Sequence, residues 1–281
     1  MSKPTNNPEY KSKLPKEVLE LYNSSQKRVI YDSGYDWAAE HNLMIIGLGA
    51  IGLGAALAAY SMAPWRQITI VDADHIEQKN LCNQGYEFAE LTDPPTQKVT
   101  AVEARLRRIF GPLGPTTICP INAWWSPDNV GVADVTLLAV DKIEIREQIF
   151  RYIQKQRDQN AAAVQFMGDI RMAGFIGQVL TATEINGCFD TYSDTLFKKN
   201  EASTGACSDA SLRGPSMMLT GALIIELARF LNGQATSPHK ALEETVIYRE
   251  MKTGFSDAEA PAETTTNTAR GARPELVGAG H

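Results

Sequence analysis

The 281-residue sequence has no apolar run of the about 18 residues that a bilayer-spanning helix needs, so no membrane partner is expected. It has no C-x-x-C pair: Cys82, Cys119, Cys188 and Cys207 stand apart, which gives neither a zinc ribbon nor a redox dithiol. Unpaired thiols of this kind read as reduced cysteines of a cytoplasmic protein. The polar start, Met1 to Asn7, lacks the apolar core of a signal peptide, in keeping with that expectation. Positive charge is not in excess. The net charge of -6 argues against nucleic acid as the main partner. Histidine is scarce (His41, His75, His239 and His281), and there is no internal repeat. What is present is ordinary for a globular chain, 43% hydrophobic and 21% charged residues, in a length that suits one large α/β domain or two small ones.

The stretch with the strongest chemical signal is Met44 to Gly52, continuing to Asp72-Ala73-Asp74. The apolar residues ending at Ile46 read as a buried parallel strand. Gly47, Gly49 and Gly52 follow as G-x-G-x-x-G. The first glycine permits a tight turn, the second lets backbone approach a phosphate, and the third lets the next helix pack on the strand. That helix is expected from about Gly52 to Met62, its N-terminus suited to an anion. A second apolar strand ends at Asp72, where an acid can bond a ribose hydroxyl.

Along the rest of the chain, residues 1–15 look flexible and 16–32 read as a helix through Val18, Leu21 and Tyr22, with Lys27 and Arg28 near its end. After Asp74 the segment Ile76 to Gln84 reads as a polar crossover at the carboxyl edge of the sheet. Lys98 to Phe110 is expected to be an amphipathic helix with Val99, Val102, Leu106 and Ile109 on one side. Strands are expected at Thr117–Ile121, Asp134–Val140 and Ala161–Met167, with a helix at Ile143–Arg157. Gly177–Thr183 has strand character and suits an antiparallel strand, Asn186–Arg213 reads as a long polar loop, and Ser216–Leu231 as an apolar helix stopped by Gly233. Thr245–Met251 is a last strand candidate, and the composition from Ser256 onward suits disorder.

In this order the pieces resemble the ThiF/MoeB/HesA family, adenylating enzymes related to ubiquitin-activating enzymes. The residues that carry the resemblance are Gly47-x-Gly49-x-x-Gly52, Asp72-x-Asp74, Asn80-Leu81-x-x-Gln84, Lys98, Asp141 with Arg146, and Cys207 ahead of Gly214-Pro215. It covers roughly residues 16–252, between a flexible N-terminus (1–15) and a disordered tail (253–281). The fold it implies is α/β: a Rossmann-like, mostly parallel sheet with helices on both faces and an antiparallel extension in the C-terminal half. The implied activity is ATP-dependent adenylation of the C-terminal carboxylate of a ubiquitin-like or sulfur-carrier protein, with thioester transfer to a cysteine as an open second step. By this resemblance Gly47, Gly49, Ala50, Ile51 and Gly52 line the phosphates, Asp72 and Asp74 lie at the ribose side, and Asn80, Asn83, Gln84 and Lys98 lie at the phosphates. Lys98 is expected as a mobile point charge, and Asp141 as the magnesium ligand. The implied partners are the carrier, a second copy of the chain in a homodimer, and a conjugating enzyme.

Three departures from the family pattern stand out. Asn83 occupies a position where arginine is usual, and Arg28, reaching across a dimer, is the candidate replacement. The family's zinc-binding cysteine pairs are incomplete, with Cys188 alone where the first pair would be, so no structural zinc is expected. The segment from Asn83 to Lys98 is slightly long and contains Pro94-Pro95. Cys207 is the candidate nucleophile after adenylation, with Cys188 as a rival and Cys82 beside the phosphate segment. Two other functions stay open: a ThiF-like scaffold with reduced catalysis, for which Asn83 is the reason, and a nicotinamide-dependent oxidoreductase, which the glycine fingerprint alone would suit.

Overall fold

The computed structural model describes residues 41–63, 65–110, 116–159, 164–173, 176–183, 188–196 and 213–231. The expected N-terminal helix, the stop at Gly233, the strand at Thr245–Met251, the two terminal segments, Arg28 and Cys207 all lie outside these residues.

Six strands form one sheet: β1 (Asn42–Ile46), β2 (Gln67–Val71), β3 (Thr117–Ile121), β4 (Val135–Leu138), β5 (Phe166–Ala173) and β6 (Ile176–Thr183). Their order is β3-β2-β1-β4-β5-β6. Every neighbouring pair is parallel except β5 with β6. The α/β class, the mostly parallel sheet and the antiparallel C-terminal extension therefore stand as expected. The order reverses between β1 and β4, whose registers run Leu43 with Val135 to Ile46 with Leu138. A reversal of this kind leaves a crevice beyond the carboxyl ends of the two strands.

The strands send alternate side chains to two cores, as the two-residue period requires. Leu43 and Ile45 face one core, shared with α1 (Ala50–Met62), α3 (Lys98–Phe110) and α6 (Arg213–Leu231). Met44 and Ile46 face the other, where Ile149, Phe150 and Ile153 of α4 (Ile143–Asp158) pack. Small residues decide how closely α1 and α6 approach the sheet. Ala55, Ala56 and Ala59 of α1 are fully buried. A Cβ on Gly168 would stand 2.5 Å from Leu223, and one on Gly177 would stand 2.3 Å from Leu219, so these strand glycines make room for α6. By length and composition α6 is apolar enough to cross a membrane. Here Leu219, Leu223, Leu227 and Phe230 instead bury one side of it in the protein core, while Met217 and Ile225 are exposed. Three of the four apolar residues expected on α3 are buried, and Ile109 lies partly outside.

Two polar stretches are more ordered than composition suggests. Within Ile76–Gln84 there is a short helix, α2 (Gln78–Asn83), started by a capping box. The Glu77 carboxylate accepts the Asn80 backbone N–H, and the Asn80 side-chain oxygen accepts the Glu77 N–H at 2.8 Å. Within Asn186–Arg213, α5 (Cys188–Thr191) runs into a 3-10 turn at Tyr192–Thr195, fastened by the buried rings of Phe189 and Tyr192. β5 starts five residues later than expected and runs to Ala173, because Asp169 and Arg171, which look out of place in a buried strand, neutralise each other there.

Candidate nucleotide site

The glycine turn sits at the carboxyl end of β1. Gly47 has φ +90°, and its N–H donates to the Val71 carbonyl at 2.8 Å. A Cβ there would lie 2.7 Å from the Ala139 carbonyl oxygen, so the turn is closed against the end of β4. A Cβ on Gly52 would lie 1.8 Å from the Gly47 carbonyl oxygen, which packs the first turn of α1 directly on the loop. Gly49 is the opposite case: nothing stands within 4 Å of the space a Cβ would take. The first turn of α1, from Ala50 and Ile51, has no side-chain cap and no acidic residue. Its N–H groups and the empty space at Gly49 together suit an anionic ligand.

Asp72, just past β2, is tied into this turn. Its carboxylate accepts the Leu48 N–H at 2.6 Å and the Asp74 N–H at 2.8 Å. Burial raises its pKa, and Lys98 together with the two N–H donors pulls the other way. Lys98 is only 5% exposed. Its backbone N–H bonds the Asp74 carbonyl at 3.0 Å, and its ammonium donates to the Asp74 carboxylate at 3.0 Å. Lys98, expected as a mobile charge, is buried at the start of α3 and paired there with Asp74. Asn80 and Asn83 are buried in α2, and the Gln84 side-chain oxygen is buried with no hydrogen-bond partner among the described residues.

Sequence reasoning did not find what connects these pieces. The Tyr86 hydroxyl donates to the Leu48 carbonyl at 2.7 Å and fastens the segment after α2 to the glycine turn. Arg105 of α3 holds the same segment through the Gly85 carbonyl at 3.0 Å and the Glu90 carboxylate at 2.7 Å. The one signal in the sequence is an aromatic residue inside a polar stretch, which does not reveal its partner 38 residues away.

On the other side of the crevice, Asp141 is exposed between β4 and α4. The Arg146 guanidinium, on the first turn of α4, donates to the Val140 carbonyl and pairs with the fully buried Asp169. Burial pulls the pKa of Arg146 down to about 10, which still leaves it charged at neutral pH. Lys142, next to Asp141, lies 5.6 Å from the centre of the Trp124 ring. Trp124 is 67% exposed on the segment after β3, while its neighbour Trp125 is buried and donates to the Gly131 carbonyl at 2.6 Å. This pair bridges the loops that follow β3 and β4. The exposed Trp124 was the other group that sequence reasoning passed over.

The described residues thus gather Gly47, Gly49, Gly52, Asp72, Asp74 and Lys98 on one side of the switch and Asp141 on the other. Among them no group of three or more His, Cys, Asp or Glu forms a self-sufficient metal cage. A single exposed carboxylate such as Asp141 still fits magnesium, which takes most of its ligands from phosphates and water in nucleotide sites.

The sequence matches the ThiF family over residues 22–269. No curated protein matches it. Among solved structures it is similar to PaaA, with a TM-score of 0.57 and 15% identity over 80% of this chain and 78% of that one. It is also similar to E. coli MccB solved with selenomethionine MccA, with a TM-score of 0.51 and 12% identity over 82% of this chain and 74% of that one. E. coli MccB solved with ATP gives a TM-score of 0.50 and 12% identity over 83% of this chain and 75% of that one. At these identities the likeness is one of fold. The family match supports ATP-dependent carboxylate adenylation in general.

Proposed function

The chain belongs to the ThiF family, and on that premise we propose that it activates the C-terminal carboxylate of a ubiquitin-like or sulfur-carrier protein. In this reaction the carboxylate oxygen attacks the α-phosphorus of ATP, an acyl-adenylate forms, and pyrophosphate leaves. The observation that carries the reading is the pairing at the β1–β4 switch. A glycine turn that leaves space open at Gly49 lies beside an exposed Asp141 at the end of the next strand.

In this reading each residue takes a role. The turn Gly47–Gly52, with the N–H groups of Ala50 and Ile51, receives phosphate oxygens. Asp72 keeps its orientation through Leu48 and Asp74 and offers its remaining acceptor capacity to the ribose. Asn80 uses its side-chain oxygen in the α2 cap, which leaves its amide N–H groups for phosphate, with Asn83 and Gln84 beside it. Lys98, already oriented by Asp74, stabilises charge that grows on the departing pyrophosphate. Asp141 holds magnesium, which when bound neutralises charge on the phosphate oxygens. Positioning and charge compensation are most of what the protein contributes to such a displacement. Arg28, donated across a homodimer, supplies the cation that Asn83 lacks. The deprotonated thiol of Cys207 attacks the adenylate's carbonyl carbon and forms a thioester as AMP leaves, and a conjugating enzyme takes the acyl group onward. We place this activity in the cytoplasm.

The deciding test is ATP–pyrophosphate exchange in the presence of candidate carrier proteins. Exchange is expected to require magnesium. Asp141→Ala is expected to reduce it about a hundredfold or more, the loss typical of a missing electrostatic contact, with the melting temperature unchanged. Tighter calorimetric binding of NAD than of magnesium ATP would overturn the assignment in favour of an oxidoreductase. Nucleotide binding without exchange for any carrier would leave a scaffold.

A further inference from the structure

The loop that carries Asp141 is connected to the protein core by charges that stability does not explain. Asp169 is fully buried in β5, and two buried arginines, Arg146 and Arg171, converge on it. Its second oxygen accepts the Arg171 Nε–H at 2.7 Å and the Tyr192 hydroxyl at 2.8 Å. Arg171 in turn donates to the Thr195 carbonyl at 2.5 Å and the Thr195 hydroxyl at 3.0 Å. Around this group lie Phe150, Met167 and Phe189, in an otherwise apolar core. Buried ion pairs of this type seldom stabilise a fold more than apolar side chains of the same volume.

What the cluster does achieve is geometric. Arg146 sits on the first turn of α4, and side chains on a helix lean toward its N-terminus. Its guanidinium therefore reaches back to the loop, where one nitrogen donates to the Val140 carbonyl while another pairs with Asp169. The peptide unit it holds is the one immediately before Asp141. An exposed carboxylate at the sheet edge is thus fixed at its root by a planar, permanently charged fork whose other end is locked in the core.

We propose that Arg146, clamped by Asp169, is a positioning residue that sets Asp141 in the orientation needed to hold magnesium. This rests on the reading of Asp141 as the magnesium ligand. Arg146 touches neither nucleotide nor metal and acts through the Val140–Asp141 peptide. The supports behind metal ligands commonly change metal affinity or activity by about 10- to 100-fold when removed.

The test uses the full chain and the variants Arg146→Lys and Arg146→Gln. ATP binding is followed by calorimetry across a magnesium titration and again in EDTA, with melting temperatures measured alongside. Lysine retains the charge for Asp169 but has no fork with which to hold the Val140 carbonyl as well. Both variants are expected to fold and to bind ATP in EDTA like wild type, with the magnesium midpoint displaced upward by about tenfold or more. Wild-type midpoints in the folded variants would overturn the proposal, since a merely structural arginine would lower melting temperature alone. Failure of both variants to fold would also overturn it, by making Arg146 a support of the fold rather than of Asp141. A wild type whose ATP binding ignores magnesium, or an Asp141→Ala chain with an unchanged midpoint, would remove the role of Asp141 itself. That failure is distinguishable because it appears before any change at Arg146.

Discussion

At the amino end of the β1–β4 pair, Asp134 accepts the Asn42 N–H at 3.1 Å, the Asn42 side chain at 3.3 Å and His41 Nδ1 at 3.2 Å. At the carboxyl end of the same two strands, Gly49 has nothing within 4 Å of its missing side chain and Asp141 is exposed. Both ends bring one aspartate of the β4 region near the backbone of β1. One end spends its acid on the protein's own N–H groups, and the other leaves a helix start without a side-chain cap and an acid exposed to solvent. The closed end joins the strands, and the open end is where a ligand can supply what is missing. Substitutions at the closed end should therefore change stability without changing binding. At the open end they should do the reverse, except where the turn itself is packed.

Gly52 is that exception and should show the largest effect. Its missing Cβ would overlap the Gly47 carbonyl at 1.8 Å, and the obstacle is backbone that cannot rotate away. Gly52→Ala should cost about 3 kcal/mol, the upper part of the range for overpacking a core. For a chain of this size that corresponds to a fall of about 10 °C in melting temperature. ATP binding should be lost with it, since the turn must shift to admit the methyl group. Thermal unfolding within about 2 °C of wild type would show that the loop yields easily and that the contrast between the two ends is drawn too sharply.

Gly49→Ala tests the open end without that complication. Gly49 has φ -68°, which any residue adopts, and the added methyl meets no protein atom within 4 Å. Stability should stay within roughly 0.5 kcal/mol of wild type, the usual range for a substitution with no packing consequence. ATP affinity should fall about tenfold, because the methyl occupies the space through which phosphate approaches the backbone. Calorimetry that finds wild-type affinity in this variant would place the phosphates elsewhere.

These two ends were not equally legible in the sequence. The open end is written in local spacing: Gly47, Gly49 and Gly52 in one turn and Asp72 at the end of the next strand. Short apolar runs likewise placed β3 and β4, and the ends of β1 and β2, to within a residue or two. The closed end joins Asp134 to residues 92 and 93 positions away, and no spacing rule connects them. The Arg146–Asp169–Tyr192 cluster is invisible for the same reason: each residue, taken alone, looks like a surface polar group. α2 was hidden differently, since the polar residues that suggested a loop, Glu77 and Asn80, are the ones that cap a helix. Lys98 was found but its setting was not, because burial and the partnership with Asp74 depend on how α3 meets the end of β2.

The smallest effect should come from the closed end, and its sign can be worked out. Burial pushes the Asp134 carboxyl up, but hydrogen bonds from His41 and from the backbone and side chain of Asn42 outweigh it and hold the pKa down to about 2. A folded-state pKa below the usual carboxylate value means that the ionised form is favoured in the folded protein. The resulting stability is fully present above about pH 4, where the unfolded chain is also ionised, and disappears as pH falls toward 2. The Asp134 side chain retains 26% of its exposure, so solvent screening reduces the contribution to about 1 kcal/mol. Denaturant unfolding of Asp134→Ala should show that deficit against wild type at pH 7, and the gap should narrow between pH 4 and pH 2. ATP affinity at pH 7 should match wild type, because the crevice lies at the other end of the strands. A gap independent of pH would mean that the side chain acts through packing and not through charge. A loss of ATP affinity with an intact fold would mean that the closed end communicates with the open one along β1 and β4.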